Sequence, residues 1–135
     1  MKLTRAQRLL LWCAATDATF KPSRVGGTPA LVGKCIHCGR KLAIDLEGKP
    51  ISDASLEHIL PRNHGGTDAL ANLAIACTSC NAQKGYRHDC QKLEDAKLQA
   101  VIETLQARRA KRMRAPPQSL ELPSLPDQNE RDCGH

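Results

Sequence analysis

Cys77-Thr78-Ser79-Cys80-Asn81-Ala82-Gln83-Lys84-Gly85 is the stretch on which the fold turns. A Cys-x-x-Cys turn presents two thiolates from one bend, and a second such turn, Cys35-Ile36-His37-Cys38, stands upstream. Two turns of this kind complete the tetrahedral sulfur shell that zinc prefers. Thr78 or Ser79 is placed to cap a helix that starts just before Cys80 and runs to about Arg87. On that helix Asn81 is rotated by about 100° from Cys80 and faces another side. Four thiolates leave no open position for water or phosphate, so the zinc is expected to be structural. His37 is read as a neighbour of the site or an exposed residue rather than a ligand. The 38 residues between Cys38 and Cys77 make a loop about twice that of an ordinary zinc ribbon, and any chemistry is to be sought inside it.

The enclosed segment alternates strand and turn. Lys41 to Leu46 carries Leu42, Ile44 and Leu46 on one side, as a half-buried strand should. Leu56 to Leu60 is a second short strand, stopped by Pro61, and Leu73 to Cys77 a third. Within it stand Leu56-Glu57-His58-Ile59-Leu60-Pro61-Arg62-Asn63-His64-Gly65-Gly66 and then Asn72-Leu73.

An acidic residue and His, then His-x-x-Pro-x-x-x-Gly-Gly, then Asn-Leu, then Cys-x-x-Cys-Asn-x-x-Lys, in that order, resemble the HNH endonuclease family. The resemblance runs from about Cys35 to Gly85 and leaves both ends of the chain outside. It implies an α+β architecture: a small ββα-metal domain stapled by the four-cysteine zinc site, with flanking N- and C-terminal helices. It also implies metal-dependent hydrolysis of DNA. That chemistry needs a deprotonated water, charge neutralisation on the phosphate and help for the departing oxygen. Histidine suits the first task near neutral pH, which makes His58 the general base. By similarity, Glu57 and Asn81 hold one divalent ion, Mg²⁺ or Mn²⁺, for the others. Asn72 is the middle letter of the family motif, fixing the loop and the orientation of His58. Lys84, Arg62 and Arg87 are candidate phosphate contacts. Successive strand residues point to opposite faces, so Glu57 and His58 can share one point only through a twist or bulge, or if Glu57 reaches around. His64 is read as solvent-facing, and His88 is left without a role.

The flanks carry less information. Thr4 to about Thr16 reads as a helix opened by the capping box Thr4-x-x-Gln7. The alternative for this basic and then apolar start is a secretory signal, but its apolar run is at the short limit. Asp17 to Gly33 has loop composition. Gln91 to Arg114 reads as a helix ending in Arg108, Arg109, Lys111, Arg112 and Arg114, a cluster open to reading as a solvated face or as a phosphate-tracking surface. Residues 1–114 hold 19 Lys and Arg against 10 Asp and Glu, residues 115–135 one against four. A basic body of this kind suits a polyanion. The chain thus divides into an N-terminal helix and loop (1–34), a nuclease domain (35–90), a basic helix (91–114) and a Pro-rich acidic tail (115–135) expected to be disordered. Metal-binding thiols suit a reducing, cytoplasmic setting, and no run reaches the roughly 18 apolar residues of a membrane span. Two rivals remain: a zinc-stapled nucleic-acid-binding module that does not cut, and a thiol redox protein.

Overall fold

The computed structural model describes residues 2–128. Helix α1 (Arg5–Ala15) opens with the expected capping box. Thr4 Oγ1 accepts from Gln7 N–H, and the Gln7 side chain accepts from Thr4 N–H. Strands β1 (Lys21–Val25), β2 (Thr28–Lys34) and β3 (Lys41–Asp45) form an antiparallel sheet in that order. Strands β4 (Ala54–His58) and β5 (Leu73–Cys77) pair as a separate antiparallel hairpin. Helix α2 (Thr78–Lys84) follows β5 directly and runs into a wider turn at Gly85–Asp89; helix α3 (Ala96–Arg112) closes the order. The architecture is therefore α+β, with a ββα unit in β4, β5 and α2. Leu9, Phe20, Leu31, Ile44, Ile75 and Leu98, drawn from α1, both sheets and α3, are buried together in one core. No helix among the described residues is long and apolar enough to cross a membrane.

Three expectations are corrected. First, part of the segment read as loop before Gly33 is the β1–β2 hairpin. Its Gly26 and Gly27 have φ of 56° and 82°, the pair of positive values that a two-residue turn needs and only glycine adopts freely. β1 is exposed along its whole length, so it has no buried alternation to betray it. Second, residues 115–128 are laid along α1 as an extended strap. Trp12 Nε1 donates to Pro123 O at 2.8 Å and Arg5 Nη2 to Asp127 O at 2.6 Å. Leu120 and Leu122 pack on the core, and Pro126 is buried. Residues 129–135, the rest of the expected disordered tail, lie outside the described residues.

Third, the basic end of α3 is not simply a solvated face, because its four arginines donate to backbone carbonyls of other elements, with Arg109 alone fully buried. Arg108 Nη1 donates to Ile36 O and His37 O, both at 3.1 Å, and Arg112 Nη1 to Lys34 O at 3.0 Å. Arg109 is 1% exposed and donates to Leu70 O at 3.1 Å and Thr16 Oγ1 at 2.9 Å. Arg114 Nε reaches Ala15 O at 3.0 Å. The last carbonyls of α1 have no partner within their own helix, and cationic donors at that end satisfy them and complement the helix dipole. Replacing Arg109 by Ala should therefore cost about 2–4 kcal/mol in urea unfolding, since it leaves buried acceptors unpaired and a cavity behind. Lys111→Ala, on the exposed side, should stay within about 0.5 kcal/mol of wild type. Equal effects of the two changes would refute the inward role of Arg109.

Candidate active site and metal centre

The sulfurs of Cys35, Cys38, Cys77 and Cys80 all lie within 4.8 Å of one another. The first pair stands in the link between β2 and β3, the second where β5 becomes α2, so the cluster joins the two sheets. Cys77, rather than Thr78 or Ser79, caps the helix: its Sγ accepts from Cys80 N–H at 3.4 Å. Cys35 Sγ accepts from His37 N–H at 3.4 Å and Cys77 N–H at 3.3 Å. Amides aimed at sulfur favour the thiolate, the form that binds metal. Burial works against ionisation of Cys77, but hydrogen bonds from Cys80 and from the Cys35 and Cys38 thiols outweigh it and hold its pKa below the ordinary value. The donor set fits structural zinc.

Glu57 is 1% exposed, and its Oε1 lies 2.5 Å from His37 Nε2. Its Oε2 is buried and has no hydrogen-bond partner among the described residues. An unpaired buried carboxylate oxygen is costly, and a divalent cation is the kind of group that relieves the cost. Asn81 Nδ2 donates to Ser55 Oγ at 3.0 Å and Leu56 O at 3.2 Å. A carbonyl can only accept, so the Asn81 amide is oriented with its nitrogen to β4, and Oδ1, the atom a hard cation would use, is left out of these bonds. Ser55 and Glu57 share one face of β4. Glu57 and Asn81 both offer oxygen donors of the kind a hard divalent ion takes. A cleft of about 150 Å³ beside His37 is lined also by Gln83, Lys84, Arg87 and His88.

His58 lies on the other side. The β4–β5 register continues unbroken through Glu57↔Ala74 and His58↔Leu73, so the distortion that would bring Glu57 and His58 to one point is absent. His58 Nε2 meets Asp68 Oδ1 at 2.7 Å, with Arg62 Nε 3.2 Å from the same nitrogen. Asp68 is 3% exposed, and its Oδ2 accepts from Arg5 Nη2 at 2.9 Å. Sequence reasoning missed Asp68, although it is the only acidic residue between Glu57 and Asp89.

Asn72 ties the intervening loop at both ends. Its Oδ1 accepts from Leu60 N–H at 2.8 Å, while Nδ2 donates to Leu60 O at 3.1 Å and Thr67 O at 2.9 Å. Gly66 is needed there, because a Cβ would collide with the Leu60 carbonyl. Lys84 is not placed as a phosphate contact. It is 2% exposed, and its Nζ donates to His58 O at 3.1 Å and to both Asp89 carboxylate oxygens at 2.8 and 2.9 Å. Arg62 and Arg87 remain exposed. His64, expected to face solvent, is half-buried, with Nε2 3.1 Å from Asp89 O.

The HNH endonuclease family model matches residues 35–87. The match takes in the four cysteines, both strands of the ββα hairpin and α2, and leaves α1, β1, β2 and α3 outside it. No curated protein and no solved structure matches the chain. Residues 35–87 are therefore similar to the HNH endonuclease family, and the four cysteines within them form a possible metal site.

Two measurements test the site's construction. Elemental analysis should find one zinc per chain, and Cys77→Ser should lose it and melt at lower temperature, because structural metal binding is folding energy. A variant that keeps its zinc and melts like wild type would exclude the stapling role. The second measurement concerns Asp68. Burial opposes its ionisation, but hydrogen bonds from His58 and Arg5 and the charges of His58 and Arg62 prevail and hold its carboxyl below the ordinary 3.8. A group with a depressed folded pKa stabilises fully above its unfolded value and loses that contribution as pH falls through the folded one. The stability gap between wild type and Asp68→Asn should hold from about pH 7 to about pH 5 and close below about 3.8. A gap that persists unchanged in acid would contradict this.

Proposed function

We propose that this chain is a metal-dependent endonuclease that hydrolyses DNA phosphodiester bonds, leaving 5′-phosphate and 3′-hydroxyl ends. The observation that carries the reading is the buried, unpartnered Oε2 of Glu57 within the family-matched segment, next in sequence to a histidine held by a carboxylate. Glu57 presents an unpaired buried carboxylate oxygen on one side, and His58 presents a ring held by a buried carboxylate on the other. His58 takes the proton from the attacking water. Glu57 and Asn81 would hold Mg²⁺ or Mn²⁺, which supplies charge neutralisation on the phosphate and the leaving oxygen. The zinc takes no part in the reaction. Asn72 fixes the loop that follows His58, and Arg62 and Arg87 are exposed donors for flanking phosphates. A reducing cytoplasm suits the unpaired thiols.

A zinc-stapled module that binds nucleic acid without cutting is the second reading. What favours it is the parity of β4, which sends Glu57 to His37 and His58 to Asp68. Plasmid cleavage in Mg²⁺ or Mn²⁺ separates the two. Wild type should nick or linearise the plasmid, and His58→Ala should be slower by at least about 100-fold, the order of a general base's contribution. Equal cleavage by both, or none by either across metals and substrates, sinks the nuclease reading. Retained binding that weakens steeply with salt would then support the module.

A further inference from the structure

We propose that Asp68 is the positioning residue for His58 and that Arg5 of α1 braces it, so that the base is built jointly by the HNH segment and a helix outside it. The proposal rests on the reading of His58 as the base. Asp68 is almost wholly buried and gives one oxygen to each partner: Oδ1 to His58 Nε2 at 2.7 Å, Oδ2 to Arg5 Nη2 at 2.9 Å and Nε at 3.2 Å. Two donors from one edge of the guanidinium converge on Oδ2 and anchor that oxygen, while Oδ1 faces the ring. The backbone beside it is fixed as well, because Asn72 Nδ2 holds Thr67 O at 2.9 Å.

The consequence is a choice of tautomer. A carboxylate only accepts, so Nε2 must carry the ring proton and Nδ1 keeps the lone pair. Arg62 Nε, 3.2 Å from Nε2, would favour the opposite tautomer if it donated there. The Asp68 contact is the shorter, at 2.7 Å against 3.2 Å, and therefore prevails. Arg62 then acts as a second positive charge near Asp68, with Nη2 3.6 Å from Oδ1. A merely structural Arg5–Asp68 ion pair would account for the burial of the acid but would leave the His58 tautomer indifferent to it.

The test is a long-range ¹H–¹⁵N correlation spectrum of the histidine rings in the zinc-loaded full chain, with His58 assigned by its absence in His58→Ala. The neutral His58 ring should be the Nε2–H form in wild type and shift towards Nδ1–H in Asp68→Asn. Plasmid nicking in Mn²⁺ should show kcat of Asp68→Asn reduced by about 10-fold or more, with KM within about twofold. An Nδ1–H ring in wild type, an unchanged tautomer in a folded Asp68→Asn, or an unchanged kcat overturns the proposal. The wild-type spectrum decides the matter even if the variant does not fold. Absence of cleavage by wild type would remove the nuclease reading alone, since the spectra still show whether Asp68 sets the ring.

Discussion

Four cysteine sulfurs within 4.8 Å of one another, a possible metal site, stand between two sheets that share no strand. One pair belongs to the three-stranded sheet and the other to the ββα hairpin, so the cluster sets where β4 and α2 stand relative to β2 and β3. Neighbouring contacts exploit that anchorage. Ile36 N–H donates to Ile75 O at 2.9 Å beside the sulfurs, and Arg108 and Arg112 reach the carbonyls of residues 34–37 from α3. His37, held in the first turn, reaches Glu57 in the hairpin. The distance along the chain between Cys38 and Cys77 is thus spent on a hairpin and its loop, both fastened at their base.

How much of this was legible depends on whether the signal was local. Leu73 to Cys77 is a strand over the residues its composition marks, and the capping box of α1 is present as written. Both are short-range patterns. β1 was hidden because an exposed edge strand has no buried face to alternate, although Gly26-Gly27 was a turn signal in plain view. The order of residues 115–128 was hidden for a different reason. Proline-rich acidic sequence has little capacity to fold alone, but here it borrows the apolar side of α1 and the donors of Arg5, Arg8 and Trp12. No property of the tail by itself announces that partner.

The arginine cluster shows the same limit for charge. A count of basic residues measures sequence, whereas an interface depends on which cations reach solvent. Arg109 is buried, and Arg108, Arg112 and Arg114 donate to carbonyls at the ends of other elements. Guanidinium suits this work because it carries five fixed donors and no acceptor, so one side chain can satisfy several orphaned backbone oxygens. Lys84 follows the same logic beside the candidate site, joining the end of β4 to Asp89. Lys84 lies one helical turn beyond Asn81, but that spacing does not reveal the acid five residues on.

Strand parity has the largest consequence for the site. Because β4 is regular to its end, adjacent residues Glu57 and His58 are delivered to different neighbours, one to the zinc turn through His37 and the other to α1 through Asp68 and Arg5. A substrate engaging both would have to lie across the end of the strand at His58, where the loop tied by Asn72 begins. The surroundings of His58 then depend on residues on both sides of the family-matched boundary, since Asp68 lies within residues 35–87 and Arg5 does not. The compact motif contains the proposed base, and the helix that precedes it supplies Arg5 to the carboxylate beside that residue.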